Sequence, residues 1–305
     1  MPDTIRLVYS KDYAVDIGSH VFPTSKYKLI KEKLSKISAF TNRLTFVPPA
    51  MATDEDILSV HDKEYLDKLK NGTLTKPEIA RLELPYSDEL VNASLLCCGG
   101  TILASEIALK DSLGIHIGGG FHHAFPDHGE GFCVLNDIAV AVSRAIKKKN
   151  AKKVVIIDCD LHHGNGTAAI FRGDPAVFTF SIHQEHNYPY LKPKSSLDIG
   201  LRDRAGDKEY LSALQENIPK ILFEFKPELV MYVAGADPYE HDQIGGLSLT
   251  KDGLKRRDEF VFKQAKSFGL PIAVVLAGGY AYNNDDTSEI HYNTIETGLR
   301  LFYGR

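Results

Sequence analysis

Among the four cysteines of this 305-residue chain there is no C-x-x-C pair and no spaced set that suggests a disulfide framework. Cys97 and Cys98 are adjacent in a helical stretch, and Cys133 and Cys159 lie beside polar motifs, a usage that points to a reducing compartment. No apolar run approaches the ~18 residues that span a bilayer. The opening residues MPDTIRLVYS read as a strand without a signal h-region, so a cytoplasmic protein with no membrane partner is expected. The formal charge of -4 gives no electrostatic footprint for nucleic acid. No Pro/Gly/Ser-rich or charge-dense linker, fixed-period repeat or low-complexity tract divides the chain, and no heptad pattern asks for an obligate dimer. One domain over residues 1–305 and a monomeric state are therefore expected.

What remains is an ordinary globular composition, 43% hydrophobic and 25% charged, with room for a sizeable core. Ile5 to Tyr9 and Leu44 to Val47 read as strands. Tyr27 to Ile37, a capped start at Thr53 to Asp56, His61 to Leu69 and the long stretch Asp88 to Lys110 read as helices, with Gly99-Gly100 marking close packing. The second half repeats strand, polar loop, helix. Apolar runs at Gly114 to Ile117, Val154 to Ile157, Val177 to Ile182, Leu229 to Val233 and Ile272 to Leu276 each lead into a polar loop and then a helix. This order predicts an α/β fold, a three-layer α/β/α sandwich around a mainly parallel sheet, with ligands bound beyond the carboxyl ends of the strands.

The chemistry concentrates in AKKVVIIDCDLHHGNGT, Ala151 to Thr167. If the strand stays extended to its end, Asp158, Asp160 and His162 share a side. Adjacent carboxylates repel, and a divalent metal resolves the repulsion most cheaply, Asp160 and His162 suiting zinc. An ordinary strand-to-helix turn with Asp as an N-cap is the bland alternative. A catalytic zinc site takes three protein ligands and keeps one position open, and Asp237, beyond the run Val230 to Ala234, leads for the third place although a turn Asp before Pro reads the same way. Asp242 is either a support for that loop or a solvated acid. His122-His123, in a glycine-rich loop after a strand, can be a metal pair, a general base with an orienting partner, or surface residues. Since Asp160, His162 and Asp237 already fill a zinc site, the second reading is favoured, with Asp158 fixing one imidazole and Asn165 the other. Gly278-Gly279 permits a bend that points Tyr280 into the pocket as an oxyanion donor, with Tyr282 as its competitor.

GGGFHHAFPDHGEGFCVLND, IIDCDLHHGNG, AGADPYEHDQIGGLSLT, LAGGYA and the early SHVFPTSKYKLI together resemble, in order and spacing, the zinc-dependent histone deacetylase family of the arginase/deacetylase fold, especially its class IV branch. The resemblance implies Zn²⁺ on Asp160, His162 and Asp237, His123 as general base and acid, His122 as its electrostatic partner and Tyr280 as oxyanion donor. It also implies a substrate tunnel at Phe132, Tyr188, Gly131 and Gly278, and a structural K⁺ near Asp158, Ser181 and Ile182 with the backbone of Asp160 and His162. The implied reaction is hydrolysis of an acyl group, acetyl or fatty, from the ε-amine of lysine in a protein, with an acylated small amine such as an acetylpolyamine, or a non-catalytic acyl-binding module, as alternatives. One imidazole and two carboxylates would also accept Fe²⁺. The chain departs from the family at Asn165, where some branches carry Asp, at Gln243, where Arg is common, and at Pro238-Tyr239. Binuclear manganese ureohydrolases share the architecture, but Gly164 and Tyr239 stand where their second metal needs carboxylates.

Overall fold

The computed structural model describes residues 4–40 and 42–304. Its strands are β1 (Ile5–Val8), β2 (Leu44–Val47), β3 (Leu113–His116), β4 (Val154–Asp158), β5 (Val177–Gln184), β6 (Leu197–Leu201), β7 (Leu229–Val233) and β8 (Ile272–Val275). They form one 8-stranded sheet in the order β2-β1-β3-β8-β7-β4-β5-β6, and every pairing is parallel. The helices are α1 (Lys26–Leu34), α2 (Asp54–Ile57), α3 (Lys63–Asn71), α4 (Lys76–Leu82), α5 (Asp88–Asp111), α6 (Asp137–Lys147), α7 (Asn165–Ile170), α8 (Asp207–Phe225), α9 (Lys251–Ser267) and α10 (Asn284–Tyr303).

The apolar runs predicted as strands are buried on both faces, because alternate side chains enter opposite layers. Val155, Ile157, Val230, Tyr232 and Val274 pack with α1, α8, α9 and α10. Val154, Ile156, Met231, Val233 and Val275 pack with α3, α5 and α6. β4 lies between β5 and β7, and the loops after β3, β7 and β8 reach its carboxyl end. The predicted capping signal is present as a reciprocal pair: Asp56 N donates to Thr53 Oγ1 at 3.2 Å, and Thr53 N to Asp56 Oδ2 at 3.0 Å.

α5 corrects one expectation. It is 24 residues long with a mean hydropathy of 1.5 over its most apolar stretch, enough by length and composition to cross a bilayer, and 72% of that stretch is buried inside the fold, where the helix packs on α6, β3 and β8. Gly99 gives the close approach predicted for it, since a Cβ there would stand 1.8 Å from the Ala50 carbonyl oxygen. Two elements escaped the sequence reading. α4 opens with a Thr75/Glu78 capping box and a proline in its first turn. β6 is short and half-exposed, so its residues carry no buried run, although it adds an edge strand in register with β5, Ser181 against Asp198.

Candidate active site

The polar loops after β3, β4, β7 and β8 converge on one hollow. Regular strand geometry stops at Asp158, so the three side chains expected to project together part company. Asp158 turns to His122, while Asp160 and His162 meet Asp237 from the loop after β7. His162 Nδ1 stands 3.1 Å from Asp160 Oδ1 and 3.2 Å from Asp237 Oδ2, and the three ligand atoms lie within 4.8 Å of one another. All three residues are buried. Backbone amides fix the carboxylates: Gly278 N donates to Asp160 Oδ2 at 2.8 Å and Leu161 N to Asp237 Oδ1 at 2.9 Å. The two loops are braced from behind by fully buried Arg257, whose Nη1 donates to Gly235 O at 2.6 Å and Cys159 O at 3.2 Å while Asp258 balances its charge.

This donor set fits a divalent cation. Burial and then the Asp160 charge push Asp237 up to about 7, and His162, which burial alone would depress, is pushed up to about 10 by its bonds to Asp160 and Asp237. Two carboxylates crowded out of water in this way gain from a positive charge between them. The backbone is shaped to admit that crowding, since a Cβ on Gly278 would lie 2.1 Å from Asp237 Oδ2. Gly278→Ala is therefore expected to displace the Asp237 carboxylate and weaken metal binding by roughly 10–100-fold. Competition with a chromophoric chelator checks this, and an unaltered affinity would show that the loop yields instead.

The two histidines after β3 are differentiated by their partners. His122 Nδ1 donates to Asp158 Oδ2 at 2.7 Å, and His123 Nδ1 donates to Asn165 Oδ1 at 2.6 Å. Their Nε2 atoms face each other at 3.1 Å. Burial opposes a charge on His122, but the carboxylates of Asp158 and Asp160 outweigh it and push its pKa up to about 9. Burial, then the charges of His122 and His162, hold His123 well below the ordinary value. The surroundings thus favour the charged form of His122 and the neutral form of His123. Their loop is pinned by Asp137, whose Oδ1 accepts from Phe121 N at 2.8 Å and from Gly120 N at 3.1 Å.

Gly279, at φ 151, and Ala277, at φ 56, bend the chain after β8 so that Tyr280 is buried at the hollow while Tyr282 is 78% exposed, which removes Tyr282 as the competitor. Asp242 supports this loop, accepting from Tyr280 N at 2.7 Å, and Gln243 Nε2 donates to Tyr280 O at 2.9 Å. A cavity of about 200 Å³ leads in, lined by Gly131, Phe132, Tyr188 and Ile244 with Glu83 among its outer residues, and reaches His123, His162 and Tyr280. Gly278 lines a second, smaller cavity together with Phe132, Asp160 and Tyr280. Ser181 and Ile182 are buried in β5, with Ser181 in register with Asp158. A second group joins His163 from the loop after β4 to His183 of β5 and Asp198 of β6, and His163 Nε2 donates to Asp198 Oδ1 at 3.0 Å. Sequence reasoning missed Glu130, Lys26 and Arg257. Glu130 sits beside the Gly131-Phe132 pair already assigned to the tunnel, and Lys26, fully buried with its Nζ donating to Ala277 O at 2.6 Å, lies in the early SHVFPTSKYKLI segment, so neighbouring motifs pointed to both.

The histone deacetylase domain model matches residues 20–295. An uncharacterized protein of Picosynechococcus sp. is 39% identical over 282 residues, covering 92% of this chain and 93% of its own length. Histone deacetylase 2 of Arabidopsis thaliana is 31% identical over 290 residues, covering 90% of this chain and 74% of its own. The acetoin utilization protein AcuC of Staphylococcus aureus is 28% identical, covering 87% and 73%. Among solved structures, the crystal structure of the HDA15 HD domain superposes with a TM-score of 0.80 at 23% identity over 98% of this chain and 89% of that one, a likeness of fold.

Proposed function

The chain belongs to the histone deacetylase family, and on that premise we propose that it is a zinc-dependent amidohydrolase that removes an acyl group from the ε-amine of lysine, its motifs resembling the class IV branch most. Family membership supports a deacetylase. The observation that carries the finer reading is His122 bonded to Asp158 beside His123 bonded to Asn165, their Nε2 atoms 3.1 Å apart and next to the clustered Asp160, His162 and Asp237. A binding module has no use for a base so prepared.

Asp160, His162 and Asp237 would hold Zn²⁺, which when bound supplies Lewis-acid polarisation of the amide carbonyl and of the attacking water. His123 Nε2 takes the proton from that water and passes it to the departing amine, and a proton held on the neighbouring His122 would make the ring a better acid for that second step. Tyr280 donates its phenolic proton in a hydrogen bond to the oxygen that becomes anionic. Phe132 and Tyr188 flank an aliphatic stem and keep water from it. A potassium ion beside Asp158, Ser181 and Ile182 belongs to the same proposal, supported by the register that sets Asp158 against Ser181. Glu83 at the cavity mouth favours a second substrate class, the cationic acylated polyamines.

Protein reconstituted with one equivalent of Zn²⁺ is assayed on acyl-lysine peptides from acetyl to myristoyl, with acetylated polyamines alongside. Turnover of the peptides with a preferred chain length is expected. Turnover of polyamines alone would move the protein to the small-amine reading, and no turnover on any substrate would leave acyl binding without catalysis.

A further inference from the structure

The general base of this site leans on an amide, not on a carboxylate, and a neutral acceptor stabilises a developing imidazolium less well than a charged one. An amide also has two ends of similar shape, so nothing in Asn165 itself obliges its oxygen to face His123. The structure supplies both missing features from the rim. Asn165 Nδ2 donates to Glu130 Oε1 at 2.7 Å, on the side opposite the bond from His123 Nδ1 to Asn165 Oδ1 at 2.6 Å. The carboxylate can only accept there, so it fixes the amide with its oxygen towards the ring and its nitrogen towards the rim. That orientation in turn fixes the proton on Nδ1 of His123 and leaves the Nε2 lone pair for substrate chemistry.

Glu130 is equipped for this task. Burial works to raise its pKa, but hydrogen bonds from His128, Tyr188 and Asn165 outweigh it and keep the carboxylate charged. Its Oε1 also accepts from Tyr188 Oη at 2.9 Å, and its Oε2 lies 3.4 Å from His128 Nε2, whose other nitrogen is 2.7 Å from Asp127 Oδ1. Tyr188 in turn sets its ring edge-on to His123, with centroids 5.0 Å apart at 84°. The segment carrying Glu130 is itself anchored, since Glu130 N donates to Cys133 O at 3.1 Å and Phe132 N to Leu82 O at 3.0 Å at the end of α4. One carboxylate oxygen thus ties the amide behind the base to the wall beside it.

We propose that Glu130 is a positioning residue that lends His123, through Asn165, the negative charge and the fixed tautomer that a directly bonded carboxylate would give. A hydrogen-bonded chain transmits polarisation in this manner, each amide becoming a stronger acceptor when its N–H end meets an anion. The proposal rests on the deacylase reading above and is tested together with it.

The test compares kcat and KM on the peptide that the zinc-loaded wild type turns over best, with zinc content and far-ultraviolet circular dichroism as controls. Glu130→Gln keeps a side-chain oxygen able to accept from Asn165 but removes the charge, and kcat is expected to fall roughly tenfold at unchanged KM and full zinc content. The double change Glu130→Gln with Asn165→Asp moves the carboxylate one bond inward, against His123, and is expected to restore most of kcat. A merely structural role would not produce that rescue. Glu130→Gln at wild-type kcat, or no recovery in the double variant, overturns the proposal. Imidazole ¹⁵N shifts give a readout independent of turnover: His123 is expected to carry its proton on Nδ1 in the wild type and to show mixed tautomers in Glu130→Leu, and an unchanged tautomer overturns the proposal. A wild type that turns over nothing, with its tautomer shifted as expected in Glu130→Leu, overturns the deacylase reading but leaves the positioning role standing.

Discussion

Asp237→Ala is expected to fold and to lose stoichiometric zinc. Changing a group that merely supports a metal ligand already costs about 10–100-fold in affinity, and Asp237 supplies one of the three ligand atoms clustered there among the described residues. Its other oxygen accepts from Leu161 N at 2.9 Å, so the substitution also frees the backbone between Asp160 and His162. Metal analysis after dialysis against a weak chelator reads the result, and a variant that keeps full zinc content would show that the third ligand lies elsewhere. Asp237→Asn adds a check through proton linkage in chelator-treated protein. The carboxyl rises from 3.8 to about 7 on folding, chiefly by burial and then by the Asp160 charge. The folded state therefore holds that proton more tightly than the unfolded state, and the contribution to stability is present at low pH and is lost as pH rises through about 7. His162, raised to about 10 in part by Asp237, acts in the same direction at higher pH. Metal-free wild type should lose more melting temperature between pH 5 and pH 8 than metal-free Asp237→Asn, and equal losses would remove Asp237 from the coupled cluster.

The strands at the centre of the sheet were legible because burial on both faces leaves an uninterrupted apolar run, and a residue just past such a run must lie at the carboxyl edge of the sheet. That rule sufficed to bring Asp160, His162, Asp237, His123 and Tyr280 to one hollow. It did not reveal how a bend would redistribute their neighbours. Alternation alone put Asp158 on one side with Asp160 and His162, yet the chain leaves extended geometry immediately after it, and the side chain serves His122, the role that the count of zinc ligands had left to it. Glu130 was illegible for a related reason. Its partners Asn165 and Tyr188 are 35 and 58 residues away, and only the paths of three loops bring them together. β6 lacked a buried run to announce it, and α5 shows the opposite failure: composition alone cannot say whether a long apolar helix is covered by lipid or, as in this fold, mostly by protein.

Tyr280→Phe is expected to keep zinc and fold while losing most of kcat. The ring is held by aromatic neighbours at centroid distances of 5.9 Å for Phe132, 6.3 Å for Phe22 and 6.4 Å for His162, contacts that phenylalanine preserves. The backbone is held independently of the phenol, by Asp242 on its N–H and Gln243 on its carbonyl, so removing one oxygen does not release the loop. What disappears is a proton donor. Burial, followed by the nearby charges of Asp237 and Asp160, holds the phenol far above its ordinary pKa, so it stays protonated across the working pH range and can donate to a developing oxyanion. A donor of that kind is strengthened as negative charge accumulates on the substrate oxygen and does little for the neutral ground state. The loss should therefore fall on kcat, by about 10²–10³-fold, with KM scarcely moved. Steady-state kinetics on the preferred acyl substrate checks the size and the split. Wild-type kcat would exclude Tyr280 as the donor, whereas a rise in KM at constant kcat would make it a binding residue for the ground state.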